Sequence, residues 1–196
     1  MLTKFRDIYE RISISFGRAS LKLHLTPDAW TIFSLVTALV AALLIMQGKF
    51  ILGAVMVLVM NLGDMMDGAT ARAGGIGTRF GTVFDHVSDR YGEFFLMGGL
   101  MAGSWVSPVL GLFAASGIVM ASYVRAKAES AGKLNNCVVG IAGRQEKLIL
   151  LYAALIAFAI NSTFWGQGFV FLIGLISHIT AFQRLMYTRK QILETR

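Results

Sequence analysis

The sequence predicts an all-α integral membrane protein with six transmembrane helices, preceded by an N-terminal amphipathic helix at the membrane interface. Of its residues, 56% are apolar and only 15% are charged, a composition typical of polytopic membrane proteins. Charge-free runs of spanning length recur along the chain. We therefore expect one membrane domain over residues 1–196, with a juxtamembrane helix at 1–25 and a six-helix bundle at 26–188.

Residues 2–23 have the pattern of a helix that lies on the membrane surface. Apolar side chains recur at i, i+3 and i+4 intervals, and basic side chains occupy the remainder. The apolar set is Phe5, Ile8, Tyr9, Ile12 and Phe16, and the basic set is Lys4, Arg6, Arg11, Arg18 and Lys22. A helix packed on a soluble partner is the alternative. We expect no cleavable signal peptide, since the first run of spanning length begins near Ala29 without a following small-residue cleavage site.

Capping and turn residues divide the next part of the chain into two spans. Pro27 begins the first, with Thr26 as its N-cap, and residues 29–48 carry no charge. A second span is expected over about 51–72, before a glycine-rich break at 74–77.

Four further spans are expected in the second half of the chain. The third begins near Thr78 or Gly81 and continues to about 104, and the fourth covers 107–128, followed by a polar loop to about 143. The charge-free stretch 148–183 is too long for one helix. Asn161-Ser162 and Gly166-Gln167-Gly168 are expected to divide it into spans five and six.

The distribution of basic residues predicts the orientation in the membrane. With six spans, every Lys and Arg except Lys49 lies on the side that holds both termini. The positive-inside rule therefore places both termini and the aspartates of the spans on the cytoplasmic side of the cell membrane. The net charge of +7 suits phosphate-bearing ligands and anionic lipid headgroups. Nucleic acid is not expected, because the charge is spread over several short loops.

Four carboxylates lie at the edges of apolar segments, at Asp64, Asp67, Asp85 and Asp89. Spacings of three and four place each pair on one helix face, about 5–6 Å apart between Cβ atoms. Each membrane-embedded Asp costs about 2.5–3.5 kcal/mol, which bound divalent cations would offset. The ligands are hard oxygens without a His or Cys cluster, so we expect Mg²⁺, with Mn²⁺ as the alternative.

The same stretch fits the pattern D-x2-D-G-x2-A-R-x8-G-x3-D-x3-D. The defined positions are Asp64, Asp67, Gly68, Ala71, Arg72, Gly81, Asp85 and Asp89. This pattern resembles the signature of the CDP-alcohol phosphotransferase family at every defined position. The segment Thr26-Pro27-Asp28-x-x-Thr31 also resembles the start of the family's first membrane helix.

The resemblance implies a six-helix membrane enzyme that works as a homodimer. It implies two divalent metal ions per site and transfer of a phospho-alcohol from a CDP-linked donor to an acceptor hydroxyl, with release of CMP. By analogy Asp64, Asp67 and Asp85 are metal ligands. Asp89 is the expected general base, and the alternative of a metal ligand at this position stays open.

Contacts to the CDP donor are also implied by the resemblance. The residues are Asp28, Thr31, Asp67, Gly68, Arg72, Thr78 and Gly81. Gly68 and Gly81 let a nucleotide approach the backbone closely, although glycine also serves helix packing in membranes. Arg72 suits the donor phosphates.

Four basic residues resemble the acceptor-phosphate site of inositol-phosphate-using members, namely Arg125, Arg144, Lys147 and Arg184. In those members lysine stands at the position of Arg125 and arginine at that of Lys147, so the charge is kept but the hydrogen-bond geometry differs. The implied reaction joins a CDP-linked lipid, with diacylglycerol or archaeol tails, to inositol phosphate. Glycerol-3-phosphate as acceptor and CDP-inositol as a soluble donor are alternatives, and a membrane cation transporter is the alternative from another class.

Overall fold

The chain is helical, with no strand, over residues 13–194, which are the residues that the computed structural model describes. The helices are α1 (13–22), α2 (Pro27–Met46), α3 (Phe50–Gly74), α4 (Arg79–Ala102), α5 (Pro108–Ser130), α6 (Arg144–Ala159) and α7 (Thr163–Glu194). Part of the predicted interfacial helix, with Phe5, Ile8, Tyr9 and Ile12, lies outside the described residues. Phe16, on the same predicted face, is 57% exposed.

Four of these helices are long and apolar enough to cross a membrane, namely α2, α3, α5 and α7. They support a multi-pass membrane protein. Helix α6 has 16 residues, about 24 Å at 1.5 Å per residue, which is shorter than a hydrocarbon core of about 30 Å. Helix α4 has the length but carries several charged residues in its first half. Six crossings therefore stay a prediction.

The predicted helix starts agree with the structure. Pro27 is the first residue of α2, and Thr26 Oγ1 accepts a hydrogen bond of 3.2 Å from the backbone N–H of Ala29. Ser107 caps α5 in the same way, with its hydroxyl 3.2 Å from the N–H of Leu110. These side chains satisfy N–H groups that have no partner within the helix.

One predicted break is wrong. Gly166-Gln167-Gly168 lies inside α7, and the chain turns only at 160–162, where Asn161 has a φ of +58°. A Cβ at Gly166 would lie 2.5 Å from the ring of Phe158 on α6. Gln167 Nε2 donates a 3.0 Å hydrogen bond to Trp105 O. The glycine therefore serves close helix packing rather than a turn.

The contacts divide the chain into two compact units. The first contains α1, α2 as far as Leu44, and the segment Leu52–Leu96. Its helices approach closely through small side chains, since a Cβ at Gly92 of α4 would lie 3.3 Å from Ala38 Cβ of α2. This unit holds all four aspartates of the sequence pattern.

The second unit contains the segment Ile45–Ile51 and the chain from Met97 onward. Helix α7 packs against α5 and α6. A Cβ at Gly117 of α5 would lie 2.9 Å from Gly174 O of α7, so glycine permits the close approach of these two backbones. This unit holds the basic residues predicted to bind the acceptor phosphate.

Candidate metal and nucleotide site

Three carboxylates converge in the first unit. Asp64 and Asp67 lie one turn apart on α3, and Asp85 lies on α4. One oxygen from each falls within 4.8 Å of the others. Two unit charges at that separation repel by about 3 kcal/mol at an effective dielectric constant of about 20. A nearby positive charge would offset this repulsion.

Asp67 is the most enclosed of the three carboxylates, with 8% of its surface exposed. Thr31 Oγ1 on α2 lies 2.9 Å from Asp67 Oδ2 and donates a hydrogen bond to it. Thr31 is itself 3% exposed. This bond fixes the orientation of the carboxylate, as partners of metal-ligating groups commonly do.

The donor set fits a divalent cation that prefers oxygen. Every close ligand atom in the cluster is a carboxylate oxygen, which suits Mg²⁺, Mn²⁺ or Ca²⁺ better than a thiolate-binding metal. The three charges supply the negative field, and Thr31 supplies orientation from outside the cluster. The sequence prediction that Asp64, Asp67 and Asp85 come together agrees with this geometry.

Asp89 lies one turn beyond Asp85 on α4 and is not in the three-carboxylate group found among the described residues. Its Oδ2 lies 3.7 Å from Arg90 Nη2, and Arg90 Nη1 also pairs with Glu93. Neither Arg90 nor Glu93 was among the site residues predicted from the sequence, although both lie within one turn of Asp89. The roles of Asp89 as base or metal ligand stay predictions.

A cavity of about 290 Å³ opens beside the carboxylates. It brings together six of the seven residues predicted to contact a CDP donor, Arg72 being absent from its lining. The lining residues are Thr26, Pro27, Asp28, Thr31, Asp67, Gly68, Ala71, Ile76, Gly77, Thr78, Gly81, Thr82 and Asp85. Small-molecule pockets typically start at about 300 Å³, so the cavity suits the headgroup of a ligand.

The two glycines of the pattern, Gly68 and Gly81, adjoin different groups. A Cβ at Gly81 would lie 3.0 Å from Thr78 Oγ1 and 3.4 Å from Asp28 Oδ1, inside the cavity. Thr78 also caps α4 by accepting the N–H of Gly81 at 2.8 Å. A Cβ at Gly68 would lie 3.0 Å from Arg72 Nη1, so Gly68 makes room for the Arg72 guanidinium.

The four predicted acceptor-binding residues lie in the second unit. Arg125 Nε donates to Glu129 Oε1 at 2.9 Å. Arg184 donates to two backbone carbonyls, from Nε to Val139 O at 2.8 Å and from Nη1 to Ala121 O at 2.7 Å. Glu129 lies one turn beyond Arg125 on α5, a spacing that a sequence can show, whereas the carbonyl partners of Arg184 are distant in sequence and no pattern signals them.

Arg144 and Lys147 lie in the first turn of α6. Lys147 is only 8% exposed, which is unusual for a lysine without a specific role. Simple snorkelling to the membrane surface does not explain a lysine that is so enclosed. The binding of a phosphate by these four residues stays a prediction.

A sequence model of CDP-alcohol phosphatidyltransferases matches residues 24–186. The chain belongs to the CDP-alcohol phosphatidyltransferase family. The match includes the aspartate cluster, the cavity and all four predicted acceptor-binding residues. The sequence-based assignment to this family is confirmed, and the protein is a transferase of that family.

Two curated relatives illustrate the similarity of this phosphatidyltransferase to known proteins. It is 29% identical to the archaetidylinositol phosphate synthase of Methanothermobacter thermautotrophicus, over 98% of this chain and 96% of the relative. It is 33% identical to the phosphatidylinositol phosphate synthase of Mycobacterium marinum, over 92% of this chain and 80% of the relative.

Solved structures of the phosphatidylinositol phosphate synthase of Mycobacterium tuberculosis share the fold. The complex with manganese and citrate superposes with a TM-score of 0.80 at 30% identity, covering 90% of this chain and 88% of that protein. The structure with CDP-DAG bound gives a TM-score of 0.79 at 30% identity, covering 91% and 94%. That relative therefore binds both a divalent metal and a CDP-linked lipid.

Proposed function

We propose that this phosphatidyltransferase transfers the phosphatidyl-type group of a CDP-linked lipid to inositol phosphate and releases CMP, in phospholipid biosynthesis. The observation that carries the proposal is the convergence of Asp64, Asp67 and Asp85, two of which line the cavity. The names of the relatives support CDP-diacylglycerol or CDP-archaeol as donor and inositol phosphate as acceptor.

The metal site would take two Mg²⁺ ions, with Mn²⁺ as a substitute. Asp64, Asp67 and Asp85 would hold them, with Asp89 as the fourth candidate ligand. Bound divalent ions neutralise charge on the donor pyrophosphate and on the departing CMP. Thr31 contributes by holding the Asp67 carboxylate in one orientation.

The cavity would receive the cytidine diphosphate part of the donor. Gly81 keeps open the space between Thr78 and Asp28, where a nucleotide can reach hydroxyl and carboxylate oxygens. Gly68 lets Arg72 fold against its own helix, and its guanidinium would pair with the donor phosphates. The lipid tails would leave the site sideways between helices.

The transfer step needs one base and one positioned acceptor oxygen. Asp89 would take the proton of the acceptor hydroxyl as that oxygen bonds to the phosphorus that carries the lipid alcohol. The bond from this phosphorus to the bridging oxygen breaks at the same time, and CMP leaves with that oxygen and its electron pair. Little covalent chemistry is required of the protein in such a transfer.

Recognition of the acceptor phosphate would come from Arg125, Arg144, Lys147 and Arg184. Arg125 donates a hydrogen bond to the carboxylate of Glu129. Arg184 donates hydrogen bonds to Val139 O and Ala121 O. An arginine has five N–H donors, so a guanidinium that donates to the protein can also donate to a phosphate. Two arginines fixed in this way would present their remaining donors at defined positions.

The enzyme would lie in the cell membrane as a six-span homodimer, with both termini and the active site on the cytoplasmic side. The placement of every basic residue except Lys49 on one predicted side supports this orientation. CDP-linked donors and divalent ions are cytoplasmic, so the orientation agrees with the chemistry.

A CMP-release assay tests the proposal. The purified full chain in detergent or nanodiscs receives CDP-diacylglycerol or CDP-archaeol with inositol phosphate, glycerol-3-phosphate, serine or free inositol in turn. We expect CMP release with inositol phosphate, dependent on Mg²⁺ or Mn²⁺ and abolished by a chelator. Preference for glycerol-3-phosphate, or turnover only with CDP-inositol, would reassign the substrate. Cation flux without CMP release would instead indicate a transporter.

A further inference from the structure

Buried hydroxyl groups join α1, α2 and α3 next to the carboxylate cluster. Trp30 Nε1 on α2 donates a 2.7 Å hydrogen bond to Ser20 Oγ on α1. Ser20 Oγ lies 3.0 Å from Thr70 Oγ1 on α3, which lies 2.6 Å from Met66 O. Ser20 is 2% exposed and Thr70 is 0% exposed. Water therefore has little access to these bonds.

The chemistry of the groups gives this hydrogen-bond chain a direction. An indole N–H only donates, whereas a hydroxyl donates one proton and accepts up to two. Thr70 has one hydroxyl proton and two oxygens nearby, and the shorter distance assigns the proton to Met66 O. Ser20 then donates to Thr70 and accepts from Trp30, so each hydroxyl is satisfied on both sides. Removing one oxygen leaves a buried donor without its partner.

The two ends of this hydrogen-bond chain are adjacent in sequence to the two residues of the Thr31–Asp67 hydrogen bond. Trp30 directly precedes Thr31, whose hydroxyl bonds to the Asp67 carboxylate. Met66 directly precedes Asp67, and Thr70 follows it by one turn on the same helix face. A shift of α2 relative to α3 at this level would therefore change the Thr31–Asp67 distance.

Helix α1 is packed tightly on α3, so it cannot move together with α2 in such a shift. A Cβ at Gly17 would overlap the carbonyl group of Ala69. Gly17 lies one turn before Ser20, so the close backbone contact and the hydroxyl lie on one face of α1. The contact fixes the distance between α1 and α3, and the hydrogen bonds fix their register.

We propose that Ser20 is a positioning residue for the metal site, whose hydroxyl holds α2 and α3 in the register that lets Thr31 orient Asp67. The proposal rests on the proposed function, since it needs a divalent ion among Asp64, Asp67 and Asp85. It assigns to α1 a role in the site beyond contact with the membrane surface.

Direct Mn²⁺ binding tests this role without an activity measurement. Free Mn²⁺ is titrated against the purified full chain and followed by electron paramagnetic resonance. Thr70→Val removes the hydroxyl while keeping the shape, and Ser20→Ala removes one oxygen. We expect the Kd for Mn²⁺ to rise about tenfold in both variants, the lower end of effects for partners of metal ligands. Thr70→Ser keeps the hydroxyl and should bind Mn²⁺ as the wild type does.

Thr37→Val is the matched control. Thr37 is a buried residue of α2 whose hydroxyl, within the part of the chain that the structure describes, bonds to carbonyls of its own helix alone, Phe33 O at 2.9 Å and Ser34 O at 2.8 Å. We expect Thr37→Val to bind Mn²⁺ as tightly as the wild type does, although its melting temperature changes about as much as that of Thr70→Val. Equal weakening by Thr37→Val, or wild-type affinity in both Thr70→Val and Ser20→Ala, would overturn the positioning role. A wild-type chain that binds no Mn²⁺ would instead refute the proposed function.

Discussion

Thr31 of α2 donates its hydroxyl proton to Oδ2 of Asp67 on α3 across 2.9 Å, and both residues are more than nine-tenths buried. One hydrogen bond between two helices therefore holds the most enclosed of three converging carboxylates. A proton donor at this position lowers the rotational freedom of a candidate metal ligand and leaves the carboxylate charge available to a cation.

Replacing Thr31 tests this relationship. Thr31→Val keeps the shape of the side chain but removes the hydrogen-bond donor. We expect both the Mn²⁺ affinity and the rate of CMP release to fall by about 10–100-fold. Thr31→Ser restores the hydroxyl and should recover most of the activity. The measurements are a Mn²⁺ titration and the CMP assay on each purified variant.

Ser34→Ala is the control for the Thr31 variants. Ser34 lies one turn further along α2, and its buried hydroxyl donates to Met60 O of α3 at 3.0 Å. It therefore joins the same two helices without contacting a carboxylate. If Ser34→Ala reduced metal affinity as strongly as Thr31→Val, the effect would come from the packing of α2 on α3 and not from the Thr31 hydroxyl itself.

Much of the site could be predicted from the sequence because its residues lie at short spacings on two helices. Asp64 and Asp67 share a face of α3, and the stretch from Gly68 to Asp89 carries the glycines and the second carboxylate pair. A turn between α3 and α4 then suffices to bring Asp85 back to Asp67. Thr31 was reached only through the resemblance, since its partner is distant in sequence.

Contacts with backbone atoms of distant residues could not be predicted. Gly166 looked like a break, because nothing local distinguishes a helix-breaking glycine from one that accommodates the ring of Phe158. The carbonyl groups that Arg184 binds lie 45 and 63 residues away. Carbonyl groups are present at every residue, so the sequence carries no signal for which of them a side chain meets.

Asp89→Asn tests the proposed role of Asp89 as the general base. The amide keeps the size of the side chain but cannot accept the acceptor's proton, so we expect kcat to fall by at least about 10²–10⁴-fold, the usual contribution of a general base. Binding of the CDP-linked donor, measured by calorimetry, should change little. Loss of donor binding would instead show that Asp89 chiefly maintains the structure or holds a metal ion.

Gly81→Ala should narrow the donor cavity. The new Cβ would lie 3.0 Å from Thr78 Oγ1 and 3.4 Å from Asp28 Oδ1, and we expect the KM for the CDP-linked lipid to rise about tenfold, or about 1.4 kcal/mol. Gly98→Ala on the same helix is the control, because no atom of the described residues, apart from the neighbouring backbone of its own helix, lies within 4 Å of its added Cβ. An unchanged KM in Gly81→Ala would place the nucleotide elsewhere.

Arg184→Ala and Arg125→Ala test recognition of the acceptor phosphate. Each removes a guanidinium with several donors, and we expect the KM for inositol phosphate to rise more than the KM for the CDP-linked lipid. The control is Lys190→Ala, which removes a charge from the same end of α7 as Arg184, where Lys190 Nζ lies 3.7 Å from Glu194 on an exposed surface. Exposed ion pairs contribute about 0–1 kcal/mol, so this control should keep both KM values.

Because Arg184 also binds Val139 O and Ala121 O, Arg184→Lys distinguishes phosphate binding from support of the fold. If the phosphate needs the planar guanidinium, lysine will not restore the KM for inositol phosphate, and equal increases in both KM values would mean that Arg184 only supports the fold.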